Sequence, residues 1–303
     1  MTTVWAVGGG KGGIGKSFIS SNLAICLARI GKPVTVVDLD LGGANLHTCF
    51  GVNAPSRTIS DFLSGRISNF SSLAVETGIP GVKIISGFND DFEVTELNPT
   101  GRSLIIEGIR QLPSPYVILD LGAGTGERTL DFFLTADQKI VAATPEPTSL
   151  ENAYRFIKAA FYRKFRLAEH ESEIHDLIES IMTNRDQNGI RSPADLIRRL
   201  TAESPESAAK LKSHLQDLKL QVILNQVRSR EDIELGHSMK SVCKKYFGIE
   251  ANYIGYLDHD NAAWRSARKR KPLIVEFPYS SVVGQFLGIT KNLLNPQSFR
   301  AVI

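Results

Sequence analysis

Residues 8–17, Gly-Gly-Gly-Lys-Gly-Gly-Ile-Gly-Lys-Ser, combine the residue types and the spacing that hold phosphate. The stretch from Gly10 to Ser17 satisfies G-x-x-x-x-G-K-S. Glycines let a loop wrap so closely that its backbone N–H groups point at phosphate oxygens, and a following helix adds its positive end. In that arrangement Gly10, Lys11, Gly12, Gly13, Ile14, Gly15 and Phe18 line or flank the cradle, Lys16 reaches the β- and γ-phosphates, and the Ser17 hydroxyl sits on Mg²⁺. Further along stand Asp38 and Asp40, two carboxylates at i and i+2, then Asp120 four residues before Gly124, then Asn225. Paired carboxylates suit a hydrated Mg²⁺ and a positioned water, and D-x-x-x-G downstream of a phosphate loop reads as a metal-binding aspartate with a γ-phosphate-sensing backbone N–H. An asparagine amide, donor and acceptor together, can read the N6/N7 edge of adenine.

These groups need elements to carry them. Residues 4–7 are apolar and read as a buried strand, and residues 17–30 place Ile19, Leu23, Cys26, Leu27 and Ile30 at helical spacing. Residues 33–39, 116–121, 138–144 and 220–224 are near-continuous apolar runs, as a parallel sheet covered on both faces requires. Asp38, Asp120 and Asn225 fall at the carboxyl ends of such runs, the end that faces the ligand crevice of an open parallel sheet. Short strands are expected at 82–86 and 253–260, helices at 58–63, 99–112, 231–247 and 279–294, and a surface loop at 89–96. The fold class is therefore α/β, a doubly wound, mostly parallel sheet with a phosphate loop, in one domain spanning 1–303.

Composition agrees with a water-exposed globular chain: 42% hydrophobic, 22% charged and a net charge of +3, too mild to require a nucleic-acid partner. Cys26, Cys49 and Cys243 are far apart and odd in number, which favours a reducing, cytoplasmic setting. The first residues enter a strand directly, without the pattern of a secretory leader, and no apolar run approaches membrane-spanning length.

The K-G-G-x-G-K-S string with its extra lysine, Lys11, resembles the deviant Walker A motif of the MinD/ParA family of ATPases. The resemblance implies ATP and Mg²⁺ as cofactors and a homodimer closed face to face on ATP, with Lys11 reaching the partner subunit's triphosphate. The run Asp38-Leu39-Asp40, with Asn45-Leu46 following, is similar to that family's switch I. By that match Asp38 holds Mg²⁺ through water, Asp40 positions the attacking water and Asn45 supports the loop. Residues 120–124, Asp-Leu-Gly-Ala-Gly, and 144–149, Thr-Pro-Glu-Pro-Thr-Ser, are similar to the flagellar-number regulators (FlhG/FleN) of the MinD branch. The match also implies that Asn225 contacts the base and that Asp260 lies in the loop bordering it. In that loop Asp258 and Asn261 stand where the family usually has proline.

The chain departs from the family between Thr144 and the strand beginning at Leu220. Those 75 residues are about three times what one crossover helix needs. Residues 161–219 are read as an inserted helical hairpin, with Ser192-Pro193 and Ser204-Pro205 as helix starts, and as the place where a protein partner docks. Residues 264–271, Trp-Arg-Ser-Ala-Arg-Lys-Arg-Lys, would suit DNA or anionic lipid but read first as a solvated helix face. The closing helix carries a single base, Lys291, and is expected to dock on the sheet rather than on a membrane, so a peripheral place at a membrane or pole is secondary. The function expected is an ATP-hydrolysing switch that positions or regulates a cellular structure, turning over slowly until a partner stimulates it. Lys11, Lys16 and Asp40 are its catalytic residues. The alternative is a nucleotide-bound adaptor with negligible hydrolysis. An iron–sulfur carrier is disfavoured by the missing C-x-x-C.

Overall fold

The computed structural model describes residues 2–40, 43, 45–53, 55–87, 97–171, 174–183 and 189–295. Among them eight strands form one sheet: β1 (Thr3–Gly8), β2 (Val34–Leu39), β3 (Val75–Glu76), β4 (Val82–Ile85), β5 (Tyr116–Leu121), β6 (Gln138–Ala143), β7 (Leu220–Val227) and β8 (Ala251–Asp258). The order across the sheet is β3-β4-β2-β5-β1-β6-β7-β8, parallel throughout except for the antiparallel β3–β4 pair. The two-residue edge strand β3 was not legible beforehand, being too short to show a period.

Alternation along each strand divides the core into two layers. Val4 and Ala6 of β1 join one apolar cluster, and Trp5 and Val7 join the other. On the second face lies α1 (Lys16–Arg29). The short helices α2 (Leu46–Cys49) and α3 (Ile59–Leu63) follow β2, and a Thr58/Asp61 capping box opens α3. On the first face lie α4 (Pro99–Arg110), α5 (Glu127–Thr135) and α6 (Pro147–Glu171). Ile105, Ile109, Leu130, Phe133, Phe156 and Phe161 of these three helices are buried there.

The long middle segment differs in detail from a hairpin. Helix α6 runs unbroken through Phe161, and α7 (His175–Thr183), α8 (Pro193–Glu203) and α9 (Pro205–Leu215) follow it. Ser192 and Ser204 cap α8 and α9, each with proline in the first turn, as their spacing predicts. Leu196, Leu200, Leu211 and Leu215 join the apolar cluster that contains Val141 and Val222 of β6 and β7, so this segment is continuous with the sheet's own core.

Helix α10 (Arg230–Val242) ends five residues early and gives way to a π-helical turn, Cys243–Phe247. Helices α11 (Asn261–Arg268), α12 (Leu273–Glu276) and α13 (Ser281–Leu294) complete the chain as described. Helix α13 buries Val282, Phe286, Ile289 and Leu293 in the cluster that holds α1, as expected for docking on the protein's own sheet. The loop expected at 89–96, and Pro296 and Arg300 beyond α13, lie outside the described residues.

Candidate functional site

The phosphate loop leaves β1 and enters α1 through two glycines in the left-handed region, Gly13 (φ 78°) and Gly15 (φ 91°), the latter capping the helix. A Cβ on Gly10 would stand 2.0 Å from the Asn152 carbonyl oxygen, and one on Gly9 would stand 2.7 Å from that of Ala142. Backbone of α6 and β6 therefore forms the wall behind the loop, and only glycine fits against it. A Cβ on Gly12 would only touch Ala123 Cβ at 4.0 Å, and Ile14 is buried beneath.

Lys16 is only 8% exposed, and its Nζ lies 3.4 Å from the Lys11 carbonyl oxygen. Burial lowers its pKa, against the pull of Asp120 and Asp40. A buried ammonium at a helix N-terminus is poised for an anion and has little else to satisfy it.

Register brings Asp38 on β2 directly beside Asp120 on β5, both 1% exposed. Asp38 Oδ1 accepts from the Asp40 N–H (3.1 Å) and Oδ2 from the Leu46 N–H (3.0 Å), so this carboxylate also fixes the start of α2. The hydroxyls of Ser17 and Ser20 donate to Asp120, Ser20 at 2.9 Å. Burial pushes both carboxyls well above the ordinary carboxylate range. The neighbouring Asp120 charge adds to this for Asp38, while Ser17, Ser20 and Lys16 oppose it for Asp120. Two buried acids side by side, Asp38 raised further by Asp120 and Asp120 by Asp40, with serine hydroxyls and a lysine alongside, make a site short of positive charge. Among the described residues no three His, Cys, Asp or Glu cluster as a closed metal cage. Mg²⁺ needs no cage, since it takes one or two carboxylates and completes its shell from water and substrate phosphate, so the donor set fits it.

Asp40 lies at the mouth of this group. A Cβ on Gly122 would come 2.9 Å from its Oδ1, so the loop after β5 touches it closely. Burial lowers the pKa of Arg128, in the first turn of α5, and the negative charge of Asp40 offsets this. Lys11 is 43% exposed and turned onto its own chain, with Nζ 3.4 Å from Thr148 Oγ1 and 3.7 Å from Glu146 Oε2. Asn45 donates to the Gly43 carbonyl at 2.8 Å. Gly124 has φ 96° and nothing packed against it.

The residues assigned to the base side are already engaged internally. Asn225 Nδ2 donates to the Ile14 carbonyl at 2.8 Å, and its Oδ1 accepts from the Gln226 N–H at 3.0 Å. It thus braces the phosphate loop, keeping one N–H and one lone pair for another partner. Asp260 caps α11 through the Ala262 N–H (2.7 Å) and accepts from Ser280 Oγ (2.6 Å); those two bonds, Ser280 first, hold its pKa down. Phe18 packs edge-to-face on Phe286 at 5.5 Å, tying α1 to α13.

Lys16, Ser17, Asp38, Asp40 and Asp120 thus come together, while Asn225 and Asp260 support the surrounding loops. Sequence reasoning missed Ser20, Arg128 and Asn152, and named Gly122 only as part of the 120–124 motif. Ser20 was recoverable, lying three residues after Ser17 on the same helix face. Arg128 and Asn152 carry no local signal, because each acts on a residue far away in the chain.

A phosphate loop after the first strand, with two strand-end aspartates facing it across a parallel sheet, defines a nucleotide-binding α/β protein. The sequence matches the CobQ/CobB/MinD/ParA nucleotide binding domain over residues 5–273, and the chain belongs to that family. It is 24% identical over 293 residues to the antiactivator FleN of Pseudomonas aeruginosa, covering 96% of this chain and 85% of that protein. It is 35% identical over 156 residues to the flagellum site-determining protein YlxH of Helicobacter pylori, covering 50% and 52% of the two chains. The septum site-determining protein MinD of Pyrococcus horikoshii, solved with Mg-ADP, shares the fold with a TM-score of 0.67 at 20% identity over the whole of both chains.

Proposed function

We propose that this chain is an ATP-driven switch that pairs with a second copy of itself on ATP and separates on hydrolysis, so regulating or placing a cellular structure. The observation that carries the reading is the buried Asp38–Asp120 pair beside Lys16 and Ser17 at the mouth of a glycine cradle. Lys16 opposes that charge only in part, and the Mg²⁺ that accompanies a nucleotide would supply the rest. FleN is named an antiactivator and YlxH flagellum site-determining, which favours a flagellar-type output and a protein partner.

In this mechanism the loop N–H groups and Lys16 bind and orient the β- and γ-phosphates. Ser17, with Asp38 and Asp120 through water, would hold Mg²⁺, which when bound neutralises charge on those phosphates. Asp40 aligns a water in line with the γ-phosphorus, and Gly122 and Arg128 keep its carboxylate in place. The water oxygen bonds to that phosphorus as the β–γ bridge bond breaks, giving ADP and phosphate. Such a step depends on positioning and charge more than on a strong base. Lys11 leaves Glu146 and Thr148 for the partner subunit's triphosphate. An exposed pair of that kind holds at most about 1 kcal/mol, so the move costs little. Asn225 keeps its brace on Ile14 and offers its remaining N–H and lone pair to adenine, with the Asp260 loop alongside. Turnover is slow until a partner stimulates it, and the setting is cytoplasmic, with peripheral attachment at a membrane or pole as the secondary case. Among the described residues no helix is long and apolar enough to cross a membrane.

Sedimentation with ATP against ADP, using Asp40→Ala, tests this. The variant is expected to dimerise on ATP and to release phosphate at least about tenfold more slowly than the parent. Unchanged steady-state turnover would remove Asp40 from the mechanism, and a monomer on a non-cleavable ATP analogue would remove the switch. Lys11→Ala is expected to lose pairing while keeping nucleotide.

A further inference from the structure

A second concave site lies at the opposite end of the sheet. It is a cavity of about 610 Å³ between α8, α9 and the π-helical turn, at the amino ends of β7 and β8. Residues 220–224 of β7, about 17 Å of strand, separate it from Asn225 and the phosphate loop, so it is no part of the nucleotide site. Its floor is apolar, made by Ile197, Leu215, Leu218 and Ile249. Its rim is cationic: Arg198, Lys212, Lys219, Lys244 and Lys245 stand around it, with Glu250 the one acid.

Those cations are unequally occupied. Arg198 pairs with Asp195, Lys219 with Glu250 (3.4 Å), and Lys212 donates to Thr201 Oγ1 (3.0 Å). Lys244 and Lys245 have no ion pair among the described residues and are exposed. They project from the π-helical turn, where the ladder shifts to i→i+5, a rare geometry that recurs at functional sites. Val242 and Tyr246, 37% exposed each, stand next to them in the chain.

We infer that this cleft docks an acidic amphipathic helix of a partner protein. Charge distribution decides between occupants. A single-headed amphiphile places one negative charge and can use one or two cations. Three of the lining cations, Lys212, Lys244 and Lys245, have no ion pair among the described residues and stand on two different elements around one apolar floor; they are matched by several carboxylates spread along an apolar stripe, the pattern of an acidic helix laid in a groove. The inference rests on the partner-binding part of the function proposed above and names the chemistry of that partner. In the relevant segment, α8 and α9 supply the cleft, and the chain elaborates there what one crossover helix would otherwise span.

The test is fluorescence anisotropy with a labelled Glu/Leu peptide whose leucines fall at i, i+3, i+4 and i+7, alongside a scrambled peptide of equal composition. The full chain is expected to bind the amphipathic peptide at micromolar Kd, with affinity falling about tenfold or more in K244E/K245E and with added salt. The scrambled peptide is expected to bind at least tenfold more weakly, a loss about that of one or two missing apolar anchors. Equal binding of the two peptides, or an unchanged Kd in K244E/K245E, overturns the inference. Thermal stabilisation by decanoate without peptide binding overturns it in favour of a one-headed ligand. ATP-linked dimerisation of the same variant is measured in parallel and is expected to be intact. Peptide binding by a chain that never dimerises on ATP would keep the cleft and reject the switch.

Discussion

The two halves of the sheet treat their strand-end polar groups in opposite ways. On β2 and β5, Asp38 and Asp120 are buried side by side, and their hydrogen bonds come from backbone N–H groups and serine hydroxyls, with Lys16 as an opposing charge beside Asp120. On β7 and just beyond β8, Asn225 and Asp260 bond to Ile14, Ala262 and Ser280, and Asp258 takes both polar ends of Gln285. One half holds two buried carboxylates that the chain offsets only in part; the other uses its polar groups to fix loops. Local burial alone does not separate them, since Asn225 is buried too. What separates them is whether the chain itself supplies the partner.

That contrast can be broken experimentally, starting with the largest effect. Lys16→Ala is expected to cost at least about 100-fold in Mg-ATP affinity by calorimetry, because it removes a charge-assisted contact from a dry site. A loss under tenfold would place the phosphates elsewhere. Gly10→Ala drives a Cβ into the Asn152 carbonyl and is expected to destabilise the protein by about 3 kcal/mol in denaturant titration, with loss of nucleotide binding.

The carboxylate pair gives a test by pH. The folded pKa of Asp38 is raised above its unfolded value, so the folded state binds more protons between the two and metal-free stability falls as pH rises through that window. The cost is absent below the unfolded pKa and complete above the folded one. Asp38→Asn should therefore raise metal-free stability near neutral pH by about 2 kcal/mol, a few degrees in Tm, and abolish further stabilisation by Mg-ATP. A variant that melts lower than the parent in EDTA would mean that the chain does balance this charge internally.

On the other half, Asn225→Ala is expected to lower ATP affinity about tenfold, near the worth of one buried hydrogen bond, and GTP affinity less. Equal losses would leave Asn225 as a brace for Ile14 only. The smallest effect belongs to the exposed Arg155–Glu151 pair, where Arg155→Ala should stay within about 0.5 kcal/mol.

Much of this was legible beforehand because it is local. A glycine with positive φ before a helix, an apolar run ending in aspartate, and a serine before a proline at a helix start are decided by neighbours in the chain. The phosphate loop, the three aspartates, the parallel sheet and the starts of α8 and α9 all belong to that class. Edge strand β3 was too short to register, and α6 ran past the expected boundary at Phe161 because its apolar period continues through Phe165.

From the chain alone came the groups proposed to bind phosphate and metal, and the strand ends that bear them, since conformational preference and hydrophobic period act over a few residues. Only tertiary structure decided which of those groups meet. Strand order sets Asp38 against Asp120, closes the loop on Asn152 and Asn225, turns Lys11 onto Glu146, and lines a cationic cleft from three separated segments. Such contacts are settled by how crossovers stack elements far apart in the chain, which no short window of residues encodes.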